Sequence, residues 1–125
     1  MNYISRPLLV ITLLFITFQS SANIDETMTI TDIHQQMQKK RLTSEQLVQF
    51  YLQRIDKFDD KGIELNSVVQ LNKKALEQAK ELDLYFAKHG FKGKLHGIPV
   101  LLKDNIDTSD GMANTAGSTA LANNF

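Results

Sequence analysis

The residue of this chain best placed to do chemistry is a lysine that follows a short apolar stretch. The stretch comprises residues 98–102, and Lys103 comes directly after it. A lone ammonium is costly to bury, so a lysine that an apolar strand directs inwards must be solvated, paired or deprotonated. Lysine is protonated near neutrality at its reference pKa of about 10.4, and desolvation lowers that pKa. A deprotonated Lys103 would be a general base.

The structural alternative is an ion pair between Lys103 and either Asp104 or Asp107 at the end of the strand. Charged strand ends are common, so the lysine and its apolar stretch alone favour this alternative. A calcium site is a poor match, because Asp104, Asp107 and Asp110 are three residues apart, whereas an EF-hand loop places its ligands at alternate positions. We therefore expect no metal site here.

Three short sequence motifs surround the lysine. They are LHGIPV at residues 95–100, LKDNI at 102–106, and GM followed by TAGS within 111–118. In this order and spacing they resemble the amidase signature family, serine hydrolases that cleave carboxamide C–N bonds with a Ser–Ser–Lys triad. A weaker part of the resemblance extends back to about Thr43.

The resemblance implies a role for Lys103. It matches the triad lysine, which takes a proton from a bridging serine while that serine takes one from the nucleophile, and backbone N–H groups stabilise the oxyanion. No cofactor is implied. By the same resemblance the active-site surroundings include Gly97, Pro99, Asp104, Asn105, Gly117 and Ser118. Judged without the family, Ser118 would cap a helix, and Asp104 and Asn105 would hold the loop after the lysine.

Neither triad serine is matched in this chain. In the family both lie well downstream of the lysine, and the nearest serines here, Ser109 and Ser118, do not correspond to them. We therefore expect a fragment, the N-terminal part of an amidase for a small-molecule amide, that is inactive alone because a base without its nucleophile retains little rate enhancement. The alternative is a small exported non-catalytic binding or complementation protein derived from an amidase.

The first elements that must position the lysine are two helices. One is predicted from Ile30, with Thr31 as its cap. The next is predicted over residues 42–58, where Thr43 and Gln46 match a capping box. Leu42 before this cap is expected to pack on Leu47, as in a hydrophobic staple.

A strand–helix–strand unit is predicted to follow. The strands are residues 65–71 and 98–102, and the helix between them runs from Asn72 as its cap to Lys88, with Gly90 as its stop. This order favours parallel pairing with a right-handed crossover. The predicted fold class is α/β: N-terminal helices plus the first strands of a truncated mixed-sheet amidase-signature fold.

Charge and cysteine content exclude several classes of function. The chain has 125 residues, and its 14 basic and 14 acidic residues are interspersed. Without a basic stripe, nucleic acid is not expected as a partner. The sequence contains no cysteine, which excludes disulfides, a lipid-modified cysteine and cysteine metal ligands.

Residues 1–22 match the pattern of a signal peptide. Arg6 gives a positive start, residues 8–18 are apolar, and residues 20–22 are small. The run is short for a membrane span, which needs about 20 apolar residues. We expect an exported protein, periplasmic or secreted, whose residues 23–125 form the incomplete amidase domain; membrane anchoring through a retained leader is the alternative.

Overall fold

The computed structural model describes residues 23–125. Helices in this part are α1 (Ile30–Gln38), α2 (Ser44–Ile55) and α3 (Ala75–His89). A π-helical turn, Asp56–Asp60, continues α2, and a 3₁₀ turn spans Thr119–Leu121. The predicted signal peptide, residues 1–22, lies outside the described residues.

Helix α1 begins with a capping box that differs from the predicted cap. Thr29 Oγ1 accepts the N–H of Asp32 at 3.2 Å, and the Asp32 carboxylate accepts the N–H of Thr29 at 3.0 Å. The prediction of Thr31 was wrong because this residue already lies inside the first turn. The acidic side chain three residues after Thr29 selects the correct cap, since only that spacing allows the reciprocal bonds.

Helix α2 begins as predicted. Thr43 Oγ1 accepts the N–H of Gln46 at 3.1 Å, and Gln46 Oε1 accepts the N–H of Thr43 at 3.0 Å. Leu42 and Leu47 flank this capping box and are both buried in the same core cluster. The capping box and the leucines together set where α2 starts and how the chain enters it.

The end of α2 differs from the prediction of a regular helix to Phe58. The α-helix ends at Ile55 and the chain continues as the π-helical turn. Asp59 in this turn is buried, and its carboxylate accepts the N–H groups of Ser67 at 2.8 Å and Val68 at 2.9 Å. The Ser67 hydroxyl, followed by the Val68 and Ser67 N–H groups, lowers the pKa of Asp59. These hydrogen bonds connect the π-helical turn to residues 67 and 68, in the segment that leads to α3.

Helix α3 starts later than predicted and ends where predicted. Asn72 is not its cap: the side-chain oxygen accepts the N–H of Lys74 at 2.8 Å, and its C=O accepts the N–H of Ala75 at 3.0 Å. Asparagine thus closes a turn before the helix, a role its short polar side chain also favours. At the other end Gly90 adopts a φ of +76° and donates its N–H to Phe86 O at 2.9 Å.

The core lies between α1, α2 and the residues that follow α3. Its buried side chains are Ile33, Met37, Leu42 and Leu47, and partly buried residues packed against them include Tyr51, Phe86, Phe91 and Ile98. Leu47 is fully buried, with 0% of its surface exposed. Since Ile98 is part of this packing, the core fixes the start of the segment that leads to Lys103.

A carboxylate on α3 also holds the start of α2. The two oxygens of Asp83 accept the N–H groups of Ser44 at 2.7 Å and Glu45 at 3.0 Å. These N–H groups belong to the first turn of α2 and have no partner within the helix. The negative charge also matches the positive end of the helix dipole, so Asp83 joins the two helices by more than apolar contact.

The sheet part of the predicted α/β class is not formed by residues 23–125, in which no strand is present. Residues 65–71 and 98–102 are neither helical nor paired with each other. A strand is defined by hydrogen bonds to a neighbouring strand, and apolar alternation alone cannot supply that neighbour. Val69 and Leu101 accordingly remain 74% and 75% exposed. The helices are therefore as the α/β prediction requires, and the sheet remains a prediction.

Candidate active site

Lys103 follows residues 98–102, which are neither helical nor paired as a strand, and it begins a short turn. Its C=O accepts the N–H of Ile106 at 2.9 Å, and its side chain is exposed. Within residues 23–125 the salt bridges do not include Lys103, so the alternative pairing with Asp104 or Asp107 is not formed. Of the three states open to this lysine, the described chain provides the solvated one.

Asp104 joins the lysine loop to a later turn. Its carboxylate accepts the N–H of Gly117 at 3.0 Å, the N–H of Thr115 at 3.4 Å and the Thr115 hydroxyl. The Thr115 hydroxyl, followed by the Gly117 N–H, lowers the pKa of Asp104 below its usual value. Asp104 and Asn105 were expected to hydrogen-bond local backbone; the partners of Asp104 instead lie 11 and 13 residues further along the chain.

Gly117 and Ser118 lie in the turn that Asp104 binds. Gly117 has a φ of +75°, a conformation that glycine adopts without steric cost. Ser118 occupies the position before the 3₁₀ turn, and its N–H donates to Thr115 O at 2.8 Å. The Ser118 side chain makes no capping hydrogen bond there, so its predicted role as a helix cap is wrong. The hydroxyl is exposed on the same turn that contacts the lysine loop.

Gly97 lies against α2, apart from this hydrogen-bonded group. It is buried with a φ of +72°, and a Cβ added to it would lie 2.3 Å from Ser44 Oγ. The position therefore requires glycine for packing. Pro99 is half-buried and Asn105 is exposed. The structure thus brings Lys103, Asp104, Gly117 and Ser118 into one region and uses Gly97 to anchor the segment that leads there.

His96 is a buried residue of this segment for which the sequence predicted no role. It is 5% exposed, and its Nδ1 accepts the N–H of Lys92 at 3.2 Å. An accepting Nδ1 carries no proton, so the neutral ring is protonated on Nε2. Burial is the main cause that lowers the pKa of His96. The neutral imidazole is therefore part of the packing around α3.

His34 of α1 also contacts this segment. It is half-buried, its ring stacks on Phe91 with centroids 4.3 Å apart, and its Nε2 donates to His96 O at 2.9 Å. The partner carbonyl lies 62 residues further along the chain, so no local pattern could reveal the contact. Through this bond α1 also holds the segment before Lys103.

Two further kinds of site were sought between residues 23 and 125. Over this range no group of three or more His, Cys, Asp or Glu side chains is arranged to hold a metal ion. Over the same range no helix is long and apolar enough to span a membrane.

The part of the chain that contains the lysine loop and this glycine-containing turn matches a known protein family. The family model described as Amidase matches residues 46–125. The match covers more than half of the chain and includes Lys103 and the whole of the turn at residues 115–118. The chain therefore belongs to the amidase family, as its signature words predicted.

Individual relatives agree with this assignment. A probable amidase of Arabidopsis thaliana is 45% identical over 111 residues, which is 85% of this chain and 20% of that protein. The mandelamide hydrolase of Pseudomonas putida is 38% identical over 99 residues, which is 78% of this chain and 18% of that protein.

Solved structures show the same likeness in three dimensions. The native peptide amidase of Stenotrophomonas maltophilia superimposes with a TM-score of 0.76 at 41% identity, covering 79% of this chain and 20% of that one. An amidase family protein of Bacillus anthracis gives a TM-score of 0.72 at 36% identity, over 77% and 19% of the two chains. The chain thus shares the amidase-signature fold over about one fifth of the length of these proteins.

Proposed function

We propose that this chain contributes the general base and the helical scaffold of an amidase-type hydrolase that cleaves carboxamide C–N bonds through a Ser–Ser–Lys triad, with Lys103 as the base. The observation that carries the proposal is the family match over residues 46–125, which includes Lys103 and its predicted surroundings. Its support in the fold is the packing of Ile98 and Gly97, which gives the lysine segment a fixed origin.

The proposed reaction is a proton relay. Neutral Lys103 accepts a proton from the bridging serine, which accepts one from the nucleophilic serine as the latter attacks the amide carbonyl. The relay then reverses and protonates the leaving amine. No residue of this chain matches either serine, so we expect residues 1–125 alone to have no amidase activity. Lys103 is exposed in the described chain. A neutral lysine needs apolar surroundings, and we propose that the polypeptide that supplies the two serines also supplies these surroundings.

We propose that residues 65–71 and 98–102 become strands of a mixed sheet when the polypeptide that supplies the serines is present. The support is their non-helical, unpaired backbone together with exposed apolar side chains such as Val69 and Leu101. Strands buried on both faces are characteristically apolar throughout, as residues 98–102 are. An amidase domain that continues the sheet would cover these side chains and would surround Lys103.

The proposed substrate is a small carboxamide, without a cofactor. The names of two similar proteins, mandelamide hydrolase and peptide amidase, both describe action on amides. The balanced charge of the chain argues against a nucleic acid as partner. Amide cleavage by a serine nucleophile and a lysine base requires no metal or redox group.

We propose further that the protein is exported, on the strength of the leader pattern in residues 1–22. The N-terminal sequence of the endogenous protein tests this. A start at Asn23 in the periplasmic or secreted fraction is expected. Retention of Met1 in the membrane fraction would favour the anchored alternative, and Met1 in the cytosolic fraction would contradict export.

The decisive experiment asks whether amide hydrolysis depends on Lys103. The intact mass of the endogenous protein identifies the polypeptide to be tested, since a mass well above 14.2 kDa would mean that the chain is part of a longer one. In that polypeptide, Lys103→Met should lower the rate of ammonia release from a small carboxamide by about 10²–10⁴-fold, the range for losing a general base. Lys94→Met, at an exposed lysine nine positions earlier, is the matched control and should leave the rate unchanged.

Either of two results would overturn the proposal. One is full activity in Lys103→Met, and the other is serine-dependent hydrolysis by the 125-residue chain itself. If the endogenous mass is close to that of the 125-residue chain without its leader, and the protein folds but cleaves no amide, the non-catalytic binding or complementation protein becomes the better explanation.

A further inference from the structure

Asp104 receives hydrogen bonds from three successive residues of one turn. The N–H groups of Thr115 and Gly117 and the Thr115 hydroxyl donate to its carboxylate, while the N–H of Ala116 donates to its C=O at 3.3 Å. Side chain and backbone of Asp104 are thus held by the same turn. No comparable set of bonds reaches Asn105 or Asp107 from residues 23–125.

The turn that Asp104 binds has an unusual backbone. Ala116 and Gly117 are both left-handed, with φ values of +48° and +75°. Alanine occupies this region only when its surroundings enforce it, because the Cβ then approaches the following carbonyl. In this turn the N–H groups of Thr115 and Gly117 and the Thr115 hydroxyl converge on the Asp104 carboxylate.

We propose that Asp104 is a positioning residue that fixes the backbone of Lys103 by binding the turn at residues 115–117. The proposal rests on the proposed function of Lys103 as the general base. Lys103 and Asp104 share a peptide bond, so the bonds that immobilise Asp104 also limit where the lysine side chain can start. The lysine side chain makes no hydrogen bond of its own within residues 23–125, which leaves its neighbour to hold it.

The negative charge of Asp104 is what makes the contact strong. Hydrogen bonds to a charged acceptor are about twice as strong as those between neutral groups. The lowered pKa of Asp104 agrees with this, because the same bonds favour the ionised carboxyl. An asparagine of the same size would offer one accepting oxygen and turn an N–H₂ group towards the other donors.

The first test compares Asp104→Asn with Asp107→Asn by NMR in the 125-residue chain. Asp107 is an exposed neighbour and serves as the matched control. We expect amide exchange at Thr115 and Gly117 to become about tenfold faster in Asp104→Asn and to stay unchanged in Asp107→Asn, because each lost charged bond weakens protection by at least this factor. Unchanged exchange in Asp104→Asn, or a normal carboxyl titration for Asp104 in the unmodified chain, would overturn the proposal.

A second variant, Thr115→Val, keeps the charge and removes one donor. Because the Thr115 hydroxyl is the largest cause that lowers the pKa of Asp104, that pKa should rise while the Gly117 amide stays protected. A pKa that does not move would show that the hydroxyl does not bind the carboxylate, and the proposed contact would be wrong.

The third test measures the reaction in the polypeptide that contains both serines. Asp104→Asn should lower kcat by about tenfold and leave KM within about twofold, since a displaced base slows the proton transfer without weakening substrate binding. A folded Asp104→Asn enzyme with unchanged kcat would overturn the positioning role while Lys103→Met still tests the base. Full activity in Lys103→Met would instead contradict the proposed function of Lys103 as the base. The amide-exchange measurements would then test only the contact between Asp104 and residues 115–117.

Discussion

His96 and Gly97 are adjacent residues whose burial joins the segment before Lys103 to the three helices. The His96 ring accepts the N–H of Lys92, and the His96 C=O accepts the Nε2–H of His34 on α1, while Gly97 lies against Ser44 at the start of α2. Neither residue is a typical apolar core residue. Gly97 contributes through its close fit to Ser44, and His96 contributes through its neutral protonation state. Each contribution leads to a specific prediction.

Protonation of His96 should destabilise the chain. The folded protein lowers the pKa of His96 from its usual value of 6.5, so the unfolded chain binds the proton more readily. The stability that neutral His96 contributes is complete above about pH 6.5 and is lost as the pH falls towards the lower folded pKa. A protonated ring would also turn an N–H towards the N–H of Lys92. Nearby His34 and Lys92 oppose protonation, and Asp83 favours it.

His96→Asn tests this, because its side-chain oxygen can still accept the Lys92 N–H but cannot be protonated. In the unmodified chain, the urea concentration at the unfolding midpoint should decrease when the pH is lowered from about 7 to about 5. This decrease should be smaller in His96→Asn. His89→Asn, at an exposed histidine of α3, is the control and should retain the full fall. Equal pH dependence in all three proteins would contradict the prediction.

Gly97→Ala should destabilise the chain by about 2–5 kcal/mol, the combined cost of a left-handed alanine and an overpacked site. The added Cβ would lie 2.3 Å from Ser44 Oγ and 3.2 Å from Met37 Cε. Gly90→Ala separates the two costs, because Gly90 has a similar φ of +76° with nothing within 4 Å of its added Cβ. Urea unfolding should show the larger loss for Gly97→Ala, and equal losses would mean that the contact with Ser44 is not limiting.

At the scale of the elements, Asp83 of α3 is the main polar link to α2. Asp83→Asn should cost about 1–3 kcal/mol, because one of the N–H groups of Ser44 and Glu45 then faces an N–H₂ group or no partner. Glu81→Gln removes the same charge from an exposed position of α3 and should cost less than about 0.5 kcal/mol. Denaturant unfolding of the pair measures the difference. Similar losses would show that general charge, and not the link to α2, matters.

The elements that could be predicted from the sequence are those whose signals are local. Thr43 and Gln46 are three residues apart and cap the same helix, so their spacing alone predicts the start of α2. Asp83 binds residues 38 and 39 positions away, and His34 binds a carbonyl 62 positions away, so neither contact has a local signature. The predicted strands illustrate the same limit, because residues 98–102 have a strand's composition but pair with no segment among residues 23–125.

The candidate site divides in the same way. Lys103 was singled out because a family motif surrounds it; the match over residues 46–125 shows the family, and the role of Lys103 as the base stays a prediction. Asp104 was expected to hold its loop, but its partners at Thr115 and Gly117 could not be named, since turns of this length close in many ways. Gly97 was placed near the active site, whereas the structure shows that its backbone conformation and its contact with Ser44 are what require glycine.

At the scale of the whole molecule, one end of the chain is well packed and the other carries exposed apolar segments. Leu47 is fully buried in the helical core, whereas Val100 and Leu101 are 60% and 75% exposed. Unpaired extended segments with apolar side chains tend to pair with other chains. We therefore expect the isolated protein to self-associate through these exposed segments.

Leu101→Lys should reduce this self-association. A charge on an exposed extended segment opposes pairing between chains, as lysines do on natural edge strands. Light scattering of the 125-residue chain at increasing concentration should show fewer assemblies for Leu101→Lys. The control is Leu84→Lys, which alters a 66% exposed leucine on α3, where the helix already satisfies the backbone. Equal improvement by both variants would attribute association to general hydrophobicity.

The placement of the core also determines an order of events during synthesis. All side chains of the core cluster, from Ile24 to Ile98, lie before Lys103 in the chain. Nascent domains fold from the N-terminal side as the ribosome releases them, so this core can close before the lysine loop has emerged. Any strand that pairs with residues 98–102 must then arrive at a surface already shaped by α2 and α3. The helical core would then be the preformed surface that such a strand meets.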